Sequence, residues 1–149
     1  MMPWGHFAVA YLPVVLYRLL RDRRFRTKKT TLVILFASQI PDLVDKPLAW
    51  TFHFLPSGRM FLHSVVIAIP LVILVALIGI QYDRTYEASL FTFGYLSHIY
   101  SDSYHLLSQG ADYYFLPNLY WPLVATNPDR VPALLPHFTG ISPYRYAVV

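Results

Sequence analysis

His98 and Asp102 stand four residues apart in GYLSHIYSDSYHLL, and His105 follows seven residues after His98. On a helix all three share one face, and the first pair is spaced to grip a single ion. Asp42 and Asp45, in QIPDLVDKP, are three apart and become neighbours if that segment is helical. His6 and His63 each stand at the beginning of an apolar stretch. The chain has no cysteine, which excludes disulfides and thiolate metal sites. Histidine nitrogen and carboxylate oxygen remain as ligands, a set that suits zinc first, with manganese or magnesium as alternatives. Taken singly, each residue has a plainer use. A lone histidine on an apolar face is usually hydrogen-bonded in a core, and an aspartate after proline is commonly a turn or cap residue. His53 and His137 are read in that plain way.

What brings the set together is the order of the apolar segments. One runs from about His6 to Leu20 and carries Pro13. A second begins near Thr31 and meets Pro41, with a continuation toward Trp50. The third, Phe61 to Ile80, covers about 20 residues, the length that crosses a hydrocarbon core. The fourth runs from about Ala88 to Leu107. Short connections make neighbouring helices antiparallel. In an up-down-up-down bundle His6, Asp42, Asp45, His63, His98 and Asp102 then all fall at one end. Two unpaired aspartates beside an apolar helix would be costly, and a divalent cation removes that cost.

Composition points to the membrane. The 149 residues are 56% hydrophobic and 13% charged, about half the charge of an ordinary soluble domain. The expected fold is an all-α membrane protein of about four short antiparallel transmembrane helices, a single domain over 1–149. Residues 1–108 form the bundle. Residues 109–149, with six prolines and many tyrosines, form an irregular segment lying at the membrane interface. Seven of the 12 basic residues lie between Arg18 and Lys29: Arg18, Arg21, Arg23, Arg24, Arg26, Lys28 and Lys29. No stacking aromatics accompany them, so no nucleic-acid partner is expected. Together with Arg84 they mark cytoplasmic loops, which puts the polar cluster on the extracytoplasmic side of the cytoplasmic membrane. No basic residue precedes the first apolar stretch, unlike a signal peptide.

The motifs GHFA, QIPDLVDKP, RMFLHS and GYLSHIYSD, followed by YFLPNLYWPL, resemble the membrane-bound metal-dependent hydrolase family. These inner-membrane-associated hydrolases include a LexA-binding member, and the resemblance covers about residues 5 to 123. It implies His6 as the early Gly-His histidine, Asp42 as the first acidic residue and His63 as the histidine of a Thr-His-Ser motif. His98 and Asp102 take the places of the late histidine and aspartate, and Trp121-Pro122 that of the closing turn. Asp45 falls one position later than the family spacing. A family His-Arg-Gly is here Gly58-Arg59-Met60, so a histidine is missing while Arg59 is kept.

The function expected is an integral membrane hydrolase acting on a phosphoester or lipid-linked phosphate through a metal-activated water. His6, Asp42, His63, His98 and Asp102 are the expected metal ligands. Asp45 or Asp42 is the candidate general base, and Arg59 is placed to neutralise an anionic substrate. Membrane lipids are the expected partners. The competing class is a non-catalytic adaptor whose basic 18–29 loop docks a cytosolic protein. A transporter would want its polar residues at mid-membrane, not at one end.

Overall fold

The computed structural model describes residues 3–22, 28–108, 110 and 112–126. Within them the chain forms six helices and no strand: α1 (Pro3–Asp22), α2 (Lys28–Ala37), α3 (Ile40–Trp50), α4 (Val65–Gln81), α5 (Thr85–Ser108) and α6 (Asp112–Leu119). Arg23, Arg24 and Arg26 of the basic run lie outside the described residues, as do His137 and the last four prolines.

α5 is the axis of the molecule. α1, α2 and α4 pack along it, and α3 and α6 meet it near the end that carries His98. Its contact with α2 is closest at Gly94. A Cβ there would lie 3.0 Å from the Ala37 Cβ and 3.4 Å from the Ile34 carbonyl oxygen, so the absent side chain lets the two helices approach. The apolar core is small. Ala10, Ile34 and Leu90 form one buried cluster, and Ala68, Tyr95 and Ile99 form another.

The expectation of about four transmembrane helices is corrected. Among the described residues no helix is long and apolar enough to cross a membrane. The second apolar segment breaks at Ser38–Gln39 into helices of 10 and 11 residues. Pro41 causes the break: it has no N–H to continue the ladder of α2, and it starts α3 instead, where a proline is tolerated. The third segment loses its first turn because Ser64 caps the helix, its side chain accepting from the Val66 N–H, which leaves 17 residues in α4. α1 and α5 are longer, but polar and aromatic residues, among them His6, Tyr11 and Arg18 in one and Ser97, His98, Ser101 and Asp102 in the other, dilute their apolar character. The proline-rich segment is not irregular throughout, since Asp112–Leu119 is helical despite Pro117.

Burial is inverted relative to a water-soluble fold. His6, Asp42, Asp45, Lys46, His63, His98 and Asp102 are all buried. Leu12, Leu16, Ile73, Leu77 and Ile80 are all exposed. An exposed apolar surface of that extent marks an interaction with something other than water.

Candidate metal centre

The break between α2 and α3 places the centre's first supports. It withdraws the Ser38 carbonyl from the regular ladder, and that oxygen accepts from His98 Nδ1 at 2.6 Å. A carbonyl has no proton to give, so the His98 proton sits on Nδ1 and a lone pair remains on Nε2.

His63 is fixed by a different route. It ends the loop that joins α3 to α4, and that loop wraps around the Asp45 carboxylate. Asp45 accepts from the backbone N–H groups of Met60 (3.1 Å), Leu62 (2.9 Å) and His63 (3.3 Å). It also accepts from His63 Nδ1 at 2.8 Å. Tyr95 donates to the Leu62 carbonyl at 2.6 Å, which ties the loop to α5. Asn118 of α6 donates to Ser57 at 3.1 Å and holds the loop from the other side. Asp45, expected as a base, therefore has both oxygens occupied by donors and faces away from the remaining polar groups.

Both imidazoles now have Nδ1 committed, and their Nε2 atoms face each other at 3.1 Å. Two lone pairs cannot share that gap. Either a proton or a cation must lie between them. Asp42 completes the arrangement, its Oδ1 lying 3.6 Å from His63 Nε2 and 3.7 Å from His98 Nε2. Asp102 Oδ2 is 3.7 Å from His63 Nε2. One ligand atom from each of Asp42, His63, His98 and Asp102 lies within 4.8 Å of all the others, and the four could hold a metal ion. Four ligands placed tetrahedrally about 2.1 Å from zinc are about 3.4 Å apart, close to the 3.1–3.7 Å of the four pairs given above. Asp42 Oδ1 is buried and has no hydrogen-bond donor among the described residues. An orphaned carboxylate oxygen aimed at two imidazole lone pairs fits a cation.

His6 stands beside this group. Its ring stacks on His98 with centroids 3.9 Å apart, and its Nε2 lies 3.3 Å from Asp102 Oδ1. Ser101 Oγ donates to the His98 carbonyl at 3.0 Å, so it must accept from His6 Nδ1 at 2.8 Å. Nε2 of His6 is a second buried atom without a hydrogen-bond partner. Arg59 is likewise drawn in: its Nε donates to Asp102 Oδ2 at 3.0 Å. His105 lies on the same helix face as expected but outside the group of four. His53 is exposed.

Lys46, in the sequence only a charge of the loop at the site end, belongs to the cluster. Its ammonium is buried and 2.5 Å from Asp42 Oδ2, one turn along α3. The sequence carries a signal for this in the Asp42–Lys46 spacing of four, although lysine is not a metal-ligand type. The indole of Trp50 lies 5.8 Å from the same ammonium.

These neighbours set the protonation states. Burial works to discharge His63, but the carboxylates of Asp42 and Asp45 outweigh it and raise the pKa to about 9. Burial and the charge on His63 push His98 down to about 3, so it is neutral. Burial would also raise Asp42 and Asp102. His63 beside Asp42, and His6 with Arg59 beside Asp102, overcome it and keep both well below the usual carboxylate range. The Lys46 pKa is lowered by burial against the opposing pull of Asp42. Without a metal, the proton on His63 thus fills the gap between the two Nε2 atoms.

The family described as YdjM inner membrane protein matches residues 1–143, and the chain belongs to that family. No curated protein and no solved structure matches. The match makes this an inner-membrane chain, and it accounts for the apolar exposure of its helices.

Proposed function

We propose that this member of the YdjM inner membrane protein family is a metal-dependent hydrolase of anionic phosphoesters, lipid phosphates among them. The observation that carries the reading is the pair of Nε2 atoms at 3.1 Å, each left with a lone pair by a donor bond on its other side. His63, His98, Asp42 and Asp102 would hold the ion, with zinc favoured over manganese or magnesium by two imidazoles. Bound there, a divalent metal would act as a Lewis acid on a phosphoryl oxygen and make water nucleophilic near neutral pH.

The chain's own groups do the rest. Asp45 fixes the His63 tautomer and ring plane, as the outer carboxylate of a carboxylate–histidine–metal relay does. With a divalent ion replacing the His63 proton, the three negative charges of Asp42, Asp45 and Asp102 stand against four positive ones on Lys46, Arg59 and the ion, leaving one positive charge in excess. That excess favours an anionic substrate. Asp42 and Arg59 are the most exposed members, at 8% and 17%, so substrate would enter between them. Arg59 keeps its terminal guanidinium N–H groups for a phosphate after giving Nε to Asp102.

The test is metal content of detergent-purified protein by mass spectrometry, beside His98→Ala, followed by a phosphoester panel with zinc or manganese supplied. About one ion per chain, lost in the variant, together with hydrolysis supports the reading. Metal-free protein that hydrolyses nothing in the panel leaves the adaptor. The loop charges support an extracytoplasmic centre, with Arg18, Arg21, Lys28, Lys29 and Arg84 at the opposite end. A cysteine at the exposed Phe54 should react with an impermeant maleimide in intact cells, and protection there reverses the side.

A further inference from the structure

Away from the centre, α1 and α4 pack on α5 and leave a groove of about 830 Å³ between them. Val9, Ala76, Ile80, Thr92 and Leu96 are among its walls. A second groove of about 430 Å³ lies between α1 and α5, bounded by Val14, Tyr17, Arg18 and Tyr86. The two adjoin, sharing Pro13, Ser89 and Phe93 as lining residues. Both reach the same end of the molecule, one at Ile80 and Thr85, the other at Arg18 and Tyr86.

Charge at that shared end is positive. Arg18 is half-buried, and its partners among the described residues are the Thr30 hydroxyl at 3.0 Å and the face of Tyr86 at 6.0 Å. Neither is an anion. Nearby, Lys29 and Arg84 share a single carboxylate, Glu87.

We propose that the adjoining grooves bind one anionic membrane phospholipid, its two acyl chains in the two grooves and its phosphate on Arg18. Four observations select this occupant. The chain belongs to an inner-membrane family, so the open faces of these grooves meet lipid. The longer groove follows α5 from Thr85 to Tyr100, about 22 Å at 1.5 Å per residue, ample for a chain that fills one leaflet of about 15 Å. Two adjoining slots suit a two-chain lipid, one acyl chain to each. A guanidinium with no carboxylate partner among the described residues, flanked by Tyr17 and Tyr86, suits a phosphate at the headgroup level. The site is independent of the metal centre, so each can fail without the other.

Native mass spectrometry of the detergent-purified protein tests it, with phosphatidylglycerol and phosphatidylcholine of identical chains as probes. One phosphatidylglycerol should bind per chain, about fivefold more tightly than phosphatidylcholine, the effect of one cation near a lipid phosphate. Arg18→Gln should abolish that preference while both lipids still bind. Ser89→Trp fills the junction of the grooves and should weaken both lipids at least tenfold. Ser89 is exposed and its hydroxyl only returns to the Thr85 carbonyl of its own helix, so the variant tests the groove and not the fold. Metal content should be unchanged in both variants. Equal affinity for the two lipids, a preference that survives Arg18→Gln, binding unaffected by Ser89→Trp, or a second copy of the chain found in place of lipid would each overturn the proposal.

Discussion

The two ends of this molecule are built on opposite rules. Around the centre, ionisable side chains are buried and the apolar contribution is slight. Along the outer turns of α1 and α4, large apolar side chains such as Leu16 and Leu77 are more than half exposed. At the first end, order comes from directional bonds that link residues far apart in sequence, such as Asp45 to Met60 and His98 to Ser38. At the second, it comes from surroundings that tolerate apolar groups. Position is therefore demanding at the centre and permissive along the grooves, and substitutions should separate the two.

The largest effects belong to the ligands. His63→Ala and His98→Ala should each lower metal affinity by three orders of magnitude or more, because a coordination bond and its oriented partner vanish together. Isothermal titration with zinc against a competing chelator reads this directly. An affinity within tenfold of wild type in either variant would remove that histidine from the metal site. Asp45→Asn comes next. It keeps the shape but weakens the four donor bonds gathered on the carboxylate, and metal affinity should fall 10–100-fold, the usual effect of removing an outer-shell partner. A loss as large as that of His63→Ala would make Asp45 a direct ligand instead.

The same contrast decides what the sequence made legible. The convergence of His6, Asp42, His63, His98 and Asp102 on one end followed from counting alternating helices, and those residues do lie together. Local spacing announced the Asp42–Asp45 and His98–Asp102 pairs because each sits within one helix. The division of labour among the acidic residues was hidden. Asp42 and Asp45 look alike in QIPDLVDKP, and only the path of the 51–64 loop gives one of them three backbone N–H donors and leaves Oδ1 of the other without a donor among the described residues. Spans were overread for a related reason: hydropathy does not register that Pro41 ends a ladder or that Ser64 caps a helix. Arg59 was legible as a cation near the site, but not as a partner of Asp102.

A smaller effect, on stability, follows from protonation. His63 has its pKa raised from 6.5 to about 9, so the stability it contributes is complete below pH 6.5 and is lost as pH rises through 9. His98 is shifted the other way, to about 3, and its contribution fades as pH falls from 6.5 toward 3. Metal-free protein should thus unfold at the highest temperature near pH 6.5. It should lose on the order of 2 kcal/mol toward pH 9.5, discounted from the full shift because the carboxylates share the proton's field. Metal displaces that proton, so zinc-loaded protein should show no alkaline decline. Thermal unfolding in detergent with chelator and with zinc compares the two. Identical pH profiles would mean that no ion replaces the proton between the two Nε2 atoms.

The smallest effect probes the other end. Leu77 is 58% exposed on α4, and it is neither in the apolar core nor near the centre. In a water-soluble fold Leu77→Ser would be trivial because water already covers the side chain. Here detergent or lipid covers it, and serine can bond back to the carbonyl one turn earlier, so little polar cost arises even in an apolar setting. Unfolding free energy should change by no more than about 0.5 kcal/mol, with metal affinity unaltered. Ser101→Leu makes the complementary change at the centre, removing the hydroxyl between His6 and the His98 carbonyl. It should cost about 2 kcal/mol or more by stranding buried polar atoms and overfilling a packed site. Chemical denaturation of both variants in the same detergent gives the ratio. A cost for Leu77→Ser as large as for Ser101→Leu would mean that the exposed face of α4 packs against another protein surface, and the two ends would then obey the same rule.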